Sequence, residues 1–258
     1  MRTAATFLLL LLAAPLGAQD FDLVIRNARL VDGTGAPAVA GDLAVKGDRI
    51  AAVGRVVGRG RLEIDAAGRV LAPGFIDVHT HSEDITSLPL AENFLRMGVT
   101  TIVTGNCGTS RVDVAEFFDS IRRTGVGVNV ATLVGQGSVR GQVMGGSFMR
   151  PATPAEVERM RALVAQAMAD GAVGMSTGLI YLPGTYTKTE ELIELAKVAG
   201  AHGGIYASHM RAETVKIFDA LDELVRIARE ARIPAQVSHI KLSGPSAWGR
   251  TDEVVAKL

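Results

Sequence analysis

Between positions 22 and 71 apolar residues come in short runs, Leu23-Val24-Ile25, Leu43-Ala44-Val45 and Ile50-Ala51-Ala52-Val53. They are parted by Asp32-Gly33, Lys46-Gly47-Asp48 and Ala67-Gly68, and runs so short between such turns predict small antiparallel β structure. After Pro73-Gly74 the rhythm changes to strand, loop and amphipathic helix, repeated. Strands are expected at 75–79, 101–104, 127–134, 172–176, 204–208 and 235–239. Among the helical stretches, Thr153 with Glu156 three residues on forms a capping-box signature, Thr189 precedes Glu190-Glu191, and 218–231 repeats at helical spacing. Successive βα units require parallel strands with helices outside, hence a barrel or a doubly wound sheet. The polar residues choose between them. His79 and His81, Cys107, Gln136, Ser176-Thr177, His209 and His239 fall at the C-terminal end of one expected strand after another, and convergence from many strands suits a barrel mouth. Gly125-Val126-Gly127 precedes a strand instead of opening a helix, which disfavours dinucleotide binding.

Composition narrows this α/β picture. A chain of 258 residues with 48% hydrophobic content has room for one large and one small domain, here 20–70 for the β subdomain and 71–258 for the βα region. Lys+Arg and Asp+Glu are equal at 27, so no basic excess exists to hold a phosphate backbone, and nucleic acid is not an expected partner. Residues 1–19 differ from the rest: Arg2, an apolar run at 7–14, then Pro15 and small residues ending at Ala18. That pattern predicts a secretory signal peptide and a periplasmic or secreted product, with no membrane association after cleavage. The apolar run is shorter than the roughly 20 residues that span a bilayer. Cys107 is the only cysteine, so an internal disulfide is excluded even in an oxidising compartment.

The strongest local signal is Gly74-Phe75-Ile76-Asp77-Val78-His79-Thr80-His81. Residues two apart on a strand share a face, so His79 and His81 are placed to grip one metal ion. Cys107 lies in Gly105-Asn106-Cys107-Gly108 just past the second strand. A lone cysteine also serves as a small buried hydrophobe, but flanking glycines suit close backbone approach in a loop, and a thiolate there is a good zinc ligand. His209 and His239 end consecutive strands in matching settings, each after a serine, which implies a shared centre. His202, in Ala201-His202-Gly203-Gly204, falls at the opposite end and reads as structural. Lys241, two past His239, is placed to hold a substrate carboxylate.

Taken in order, the motif at 74–81, Gly98-Val99-Thr100-Thr101 to Gly105-Asn106-Cys107-Gly108, Gly178-Leu179-Ile180-Tyr181 to Pro183-Gly184, Tyr206-Ala207-Ser208-His209 and Ser238-His239-Ile240-Lys241 resemble the N-acyl-D-amino-acid deacylases (D-aminoacylases) of the amidohydrolase superfamily. The opening stretch from Asp22 to Gly35 is similar as well. The resemblance implies a distorted TIM-type (β/α) barrel, of which about six of eight units fall in this stretch, with a small β-sandwich at the N-terminus assembled from both chain ends. It implies a tight zinc site at Cys107, His209 and His239, a weaker second metal position at His79 and His81, and Lys241 on the substrate's α-carboxylate. The implied reaction is zinc-dependent hydrolysis of the amide bond of N-acyl-D-amino acids, small-molecule substrates, to a carboxylate and a free D-amino acid. The family's catalytic aspartate follows the eighth strand, beyond Leu258, so no catalytic residue is nominated, and this stretch alone is expected to be inactive. Two alternatives stand beside this reading: a non-catalytic zinc-binding fragment, and a hydantoinase- or dihydroorotase-like amidohydrolase. The latter usually carry a carboxylated lysine where this chain shows Cys107.

Intact-mass analysis of exported protein should show a new N-terminus near Gln19. A product retaining Met1 in the cytoplasm would refute the export signal.

Overall fold

The computed structural model describes residues 20–258, so the expected signal peptide lies outside the described residues. The chain divides at Pro73 into two units.

In the first unit the short apolar runs form β1 (Phe21–Leu30), β2 (Val39–Lys46), β3 (Arg49–Gly54), β4 (Gly60–Asp65) and β5 (Val70–Leu71). They make one sheet of order β3-β2-β1-β4, with β5 also on β1. A tight turn at Gly47, in the left-handed region at φ +60° that glycine takes without steric cost, joins β2 to β3. Val24, Ala44 and Val56 form its small core. The sequence predicts antiparallel pairing, and β1–β2 and β2–β3 pair so; β4 and β5, however, run parallel to β1. The cause is a crossover after β3. Its backbone carbonyls at Val56 and Gly58 accept hydrogen bonds from the Arg26 guanidinium at 2.9 and 2.6 Å, which anchors the crossing chain to β1.

The second unit begins with β6 (Phe75–Asp77), α1 (Glu92–Arg96), β7 (Val99–Thr104), α2 (Val114–Thr124), β8 (Asn129–Thr132), β9 (Val134–Gly135) and α3 (Gln136–Met144). It continues through α4 (Pro154–Ala169), β10 (Gly174–Gly178), α5 (Thr189–Ala201), β11 (Ile205–His209), α6 (Ile217–Ala231), β12 (Ala235–Val237) and α7 (Thr251–Lys257). Pairing is parallel throughout, in the orders β6-β7-β8 and β9-β10-β11-β12. Only Leu133 separates β8 from β9, and its N–H donates to Thr104 O at 2.9 Å, so the ladder runs on across the break. Parallel βα units in an α/β fold are what the sequence rhythm predicts.

Helices α4, α5 and α6 supply the main core. On α6, Ile217, Leu221, Leu224 and Ile227 recur at the spacing of one helical face, and all are buried. Each such side chain contributes about 1.5–3 kcal/mol on leaving water. Thr153 and Glu156 form the predicted capping box. Thr189 does not cap α5: it is the first residue of the helix, and its hydroxyl donates to Glu223 at 2.7 Å.

Gln136 also departs from expectation. It opens α3, and its amide donates to Thr187 at 3.0 Å and to Glu191 at 3.2 Å, inside a buried polar network instead of at the strand-end cluster. The centre of that network is Arg140, fully buried, which pairs with Glu191 at 2.5 Å and donates to the carbonyls of Phe148 and Arg150. Glu191→Ala should therefore strand a buried cation and cost about 3–5 kcal/mol in urea unfolding, as loss of one partner of a buried pair does. A change below about 1 kcal/mol would show that Arg140 finds other compensation.

Candidate metal centre and substrate site

Beyond β7 the chain turns sharply through Gly105-Asn106-Cys107-Gly108. Gly105, Cys107 and Gly108 all take left-handed conformations, at φ +79°, +52° and +78°. For a cysteine this costs on the order of 1–3 kcal/mol, and it persists only where neighbours over-determine the backbone. Those neighbours are specific. A Cβ on Gly105 would lie 2.1 Å from Leu133 O, and one on Gly108 would lie 2.7 Å from Gly178 N. Ser176 at β10 donates to Gly105 O at 2.5 Å and accepts from Gly108 N at 3.0 Å. Glu83 accepts from Gly105 N at 2.8 Å and from the Thr104 hydroxyl at 2.9 Å.

Asn106, fully buried, ties this loop to the segment just past β6 that carries the histidine pair. Its amide donates to Val103 O at 3.1 Å and Val78 O at 3.4 Å, while Thr80 N donates to Val103 O at 2.9 Å. His79 and Cys107 are thus fixed to each other through the backbone. On the far side, Ser238 N donates to Ser208 O at 2.9 Å and carries the β11–β12 pairing one step past its end. His239 follows directly, in a left-handed conformation at φ +38°.

The result is convergence. Cys107 Sγ stands 3.5 Å from His79 Nε2, 3.6 Å from His209 Nδ1 and 3.7 Å from His239 Nε2. A thiolate and an imidazole sharing one tetrahedral zinc, at bond lengths of ~2.3 and ~2.0 Å, stand about 3.5 Å apart. Each thiol–imidazole pair therefore has the chemistry and the spacing of two ligands on one zinc. Burial pushes His209 down to about 4, with Glu213 opposing, and likewise lowers His79; both shifts favour the neutral ring, the form whose lone pair can meet a cation. Burial, reinforced by Glu213, pushes the Cys107 thiol up; a bound cation acts in the opposite direction on a thiol. His79 Nδ1 and His209 Nε2 are buried and have no hydrogen-bond partner among the described residues.

The grouping differs from the one the resemblance implies. His79 joins Cys107 and His239 with ligand atoms within 4.8 Å of one another, whereas His81 is in neither such cluster. His81 is exposed, its ring edge-on to His79 at 5.5 Å between centroids; both histidines follow β6, which ends at Asp77. It lines a cleft with Cys107, Ser138, Tyr181, Leu182 and Pro183. Tyr181 also packs edge-on to His209 at 4.6 Å. His202 lies elsewhere, at the end of α5, with Nδ1 2.9 Å from Val198 O.

Lys241 reaches the cluster, though not alone. Its ammonium contacts Glu213 Oε1 at 2.5 Å and His239 Nδ1 at 3.2 Å. Glu213 is the residue that sequence reasoning missed: it is buried, and the same oxygen lies 3.0 Å from His239 Nδ1 and 3.7 Å from His209 Nε2. The only signal for it is its place four residues after His209 in a polar loop that reads as solvated surface.

Parallel βα units with a thiol and imidazoles gathered at their C-terminal strand ends define a metal-binding α/β protein of the amidohydrolase type. The chain belongs to the amidohydrolase family, whose profile matches residues 62–256. It is 39% identical to the D-aminoacylase of Alcaligenes xylosoxydans xylosoxydans over 92% of its own length and 54% of that protein's. Solved structures of D-aminoacylase, one concerned with its binuclear metal center, superpose with a TM-score of 0.88 at 38% identity over 92% of this chain and 55% of theirs. The N-acyl-D-glutamate deacylase of Bordetella bronchiseptica, solved with zinc and a phosphonate mimic of the tetrahedral intermediate, superposes equally well at 34% identity, again over 92% of this chain and 55% of its own. The family resemblance read from the motifs is thereby borne out. The chain spans about half the length of the relatives it matches.

Cys107→Ser replaces a soft thiolate by a poor alcohol ligand and should sharply lower zinc retained after dialysis, measured by elemental analysis. Equal zinc in variant and parent would return Cys107 to a packing role.

Proposed function

We propose that the protein is an exported, zinc-dependent deacylase that hydrolyses N-acyl-D-amino acids to a carboxylate and a free D-amino acid. The observation that carries this reading is the meeting of one thiol and three imidazoles beside a half-exposed lysine at the ends of neighbouring parallel strands. Cys107, His209 and His239 would hold zinc, with His79 and His81 serving a second metal position. When bound, zinc supplies Lewis acidity, which polarises the acyl carbonyl and makes water nucleophilic near neutral pH.

The chain's own residues do the rest of the work that can be assigned to them. An ammonium has three donors, and Glu213 uses one of those on Lys241. The remaining donors face a substrate carboxylate as a point charge, so an N-acyl amino acid is fixed by its α-carboxylate while its amide bond lies toward the imidazole cluster. The neutral, buried His209 and the clamped 105–108 loop keep the donor set in place without rearrangement. The general acid and base is not assigned to any residue of this chain.

The same reading makes the parallel array six units of a distorted eight-unit barrel and the first sheet one layer of a β-sandwich. Exposed Phe75 and Ile76 on β6, and exposed Ile50, Val53, Leu62 and Ile64 on β3 and β4, support it, since each group leaves apolar surface for further strands to cover.

In the full-length protein, Lys241→Ala should raise KM for N-acetyl-D-amino acids at least tenfold while changing KM for the corresponding amides little, because only the acids present a carboxylate. An equal loss on both substrates would remove Lys241 from this role, and absence of D-amino acid release by the zinc-loaded parent would overturn the deacylase reading.

A further inference from the structure

We infer that Glu213 is the positioning residue of the metal centre, a buried carboxylate that keeps the His239 nitrogen facing Cys107 free to bind a metal. The inference rests on the metal-site reading above and deepens it.

Glu213 stands where a free carboxylate is expensive. Its side chain is 8% exposed, and its Oε1 is held among three nitrogen-bearing groups: Lys241 Nζ at 2.5 Å, His239 Nδ1 at 3.0 Å and His209 Nε2 at 3.7 Å. A buried carboxylate persists only if such groups compensate it. The arrangement matters most at His239, whose two ring nitrogens point at different partners. Nε2 faces the Cys107 thiol at 3.7 Å, while Nδ1 lies between an acceptor, Glu213 Oε1, and a donor, the Lys241 ammonium at 3.2 Å.

Those two neighbours ask opposite things of the ring. If the ammonium donates to Nδ1, the ring proton must sit on Nε2 and the lone pair needed for a metal is lost. If Nδ1–H faces the carboxylate, Nε2 carries the lone pair toward Cys107. Glu213 bears on the contest in two ways: its charge, 3.0 Å from Nδ1 although without hydrogen-bond alignment, favours Nδ1–H, and at 2.5 Å from Nζ it draws onto itself the ammonium that is otherwise the aligned hydrogen-bond partner of Nδ1. This is the arrangement in which the outer nitrogen of a ligating imidazole leans on a carboxylate, and it raises ligand basicity as well as fixing the ring.

A ligand role for Glu213 itself is the competing idea, since Glu213, His209 and His239 form a second group of candidate donors within 4.8 Å. The 2.5 Å contact with Lys241 argues against it, because a metal there would stand against an ammonium already paired with the same oxygen.

The test is a double-mutant cycle read as zinc affinity, by competition of zinc(II) against a chromophoric chelator with the full-length protein. Glu213→Gln keeps the side-chain volume and removes the charge. The expected result is a 10- to 100-fold weaker zinc affinity in Glu213→Gln with unchanged stoichiometry, and no further loss when the substitution is added to His239→Ala. Glu213→Asp, which keeps the charge on a shorter arm, should recover part of the loss. A purely structural role would lower the unfolding midpoint and would weaken zinc by the same factor in either His239 background. Zinc affinity equal to the parent, the same factor in both backgrounds, or loss of a whole equivalent of zinc would each overturn the inference. A parent that binds zinc yet releases no D-amino acid would sink the deacylase reading while leaving this one standing.

Discussion

The backbone of residues 105–108 has almost no freedom, and the site depends on that. Four glycine positions around it admit only hydrogen: a Cβ would lie 2.1 Å from Leu133 O at Gly105, 2.1 Å from Cys107 O at Gly178, 2.5 Å from the backbone of Gly108 at Gly135 and 2.7 Å from Gly178 N at Gly108. Close-packed interiors transmit such contacts as rigid constraints. The loop is therefore wedged between β9 and β10, and the left-handed turn at Cys107 is imposed by its surroundings. Asn106 extends the constraint to the segment carrying His79, so two groups 28 residues apart in sequence come within 3.5 Å.

Electrostatics then act on a frame already set. Burial disfavours charge on His209 and His79, and the buried carboxylate close to the cluster, Glu213, is paired with an ammonium that remains half exposed. The centre thus has a dry side of neutral rings and a wet side with one lysine. The half-exposed ammonium can meet an anion there without that anion being fully desolvated.

Much of this was legible in the sequence because it is periodic. The βα rhythm follows from apolar runs, and the histidines at 79, 209 and 239 with Cys107 stand out by falling at successive strand ends. What escaped detection is what periodicity does not encode. Parallel pairing of β4 with β1 depends on a crossover anchored by Arg26, a residue with no local turn signature. Gln136 looked like one more strand-end polar group, yet Arg140 and Glu191, distant in sequence, draw it into a buried network. Glu213 has the composition of a solvated loop and owes its burial to β11 and β12 presenting two imidazoles and a lysine to the same point. His79 and His81 both lie past the end of β6 at Asp77, so the two-residue alternation that would put them on one face does not hold for the pair.

The cleft beside Cys107 has one wall that is free to drift and one that is not. Gly108, Gly137, Gly178 and Gly184 line it, and a Cβ at any of them would lie within 2.8 Å of a backbone atom. Tyr181 and Leu182 also line it and are exposed at 51% and 64%. Replacement is thereby channelled: the glycine wall tolerates almost none, so a change in what the cleft admits is sterically open at Tyr181 and Leu182.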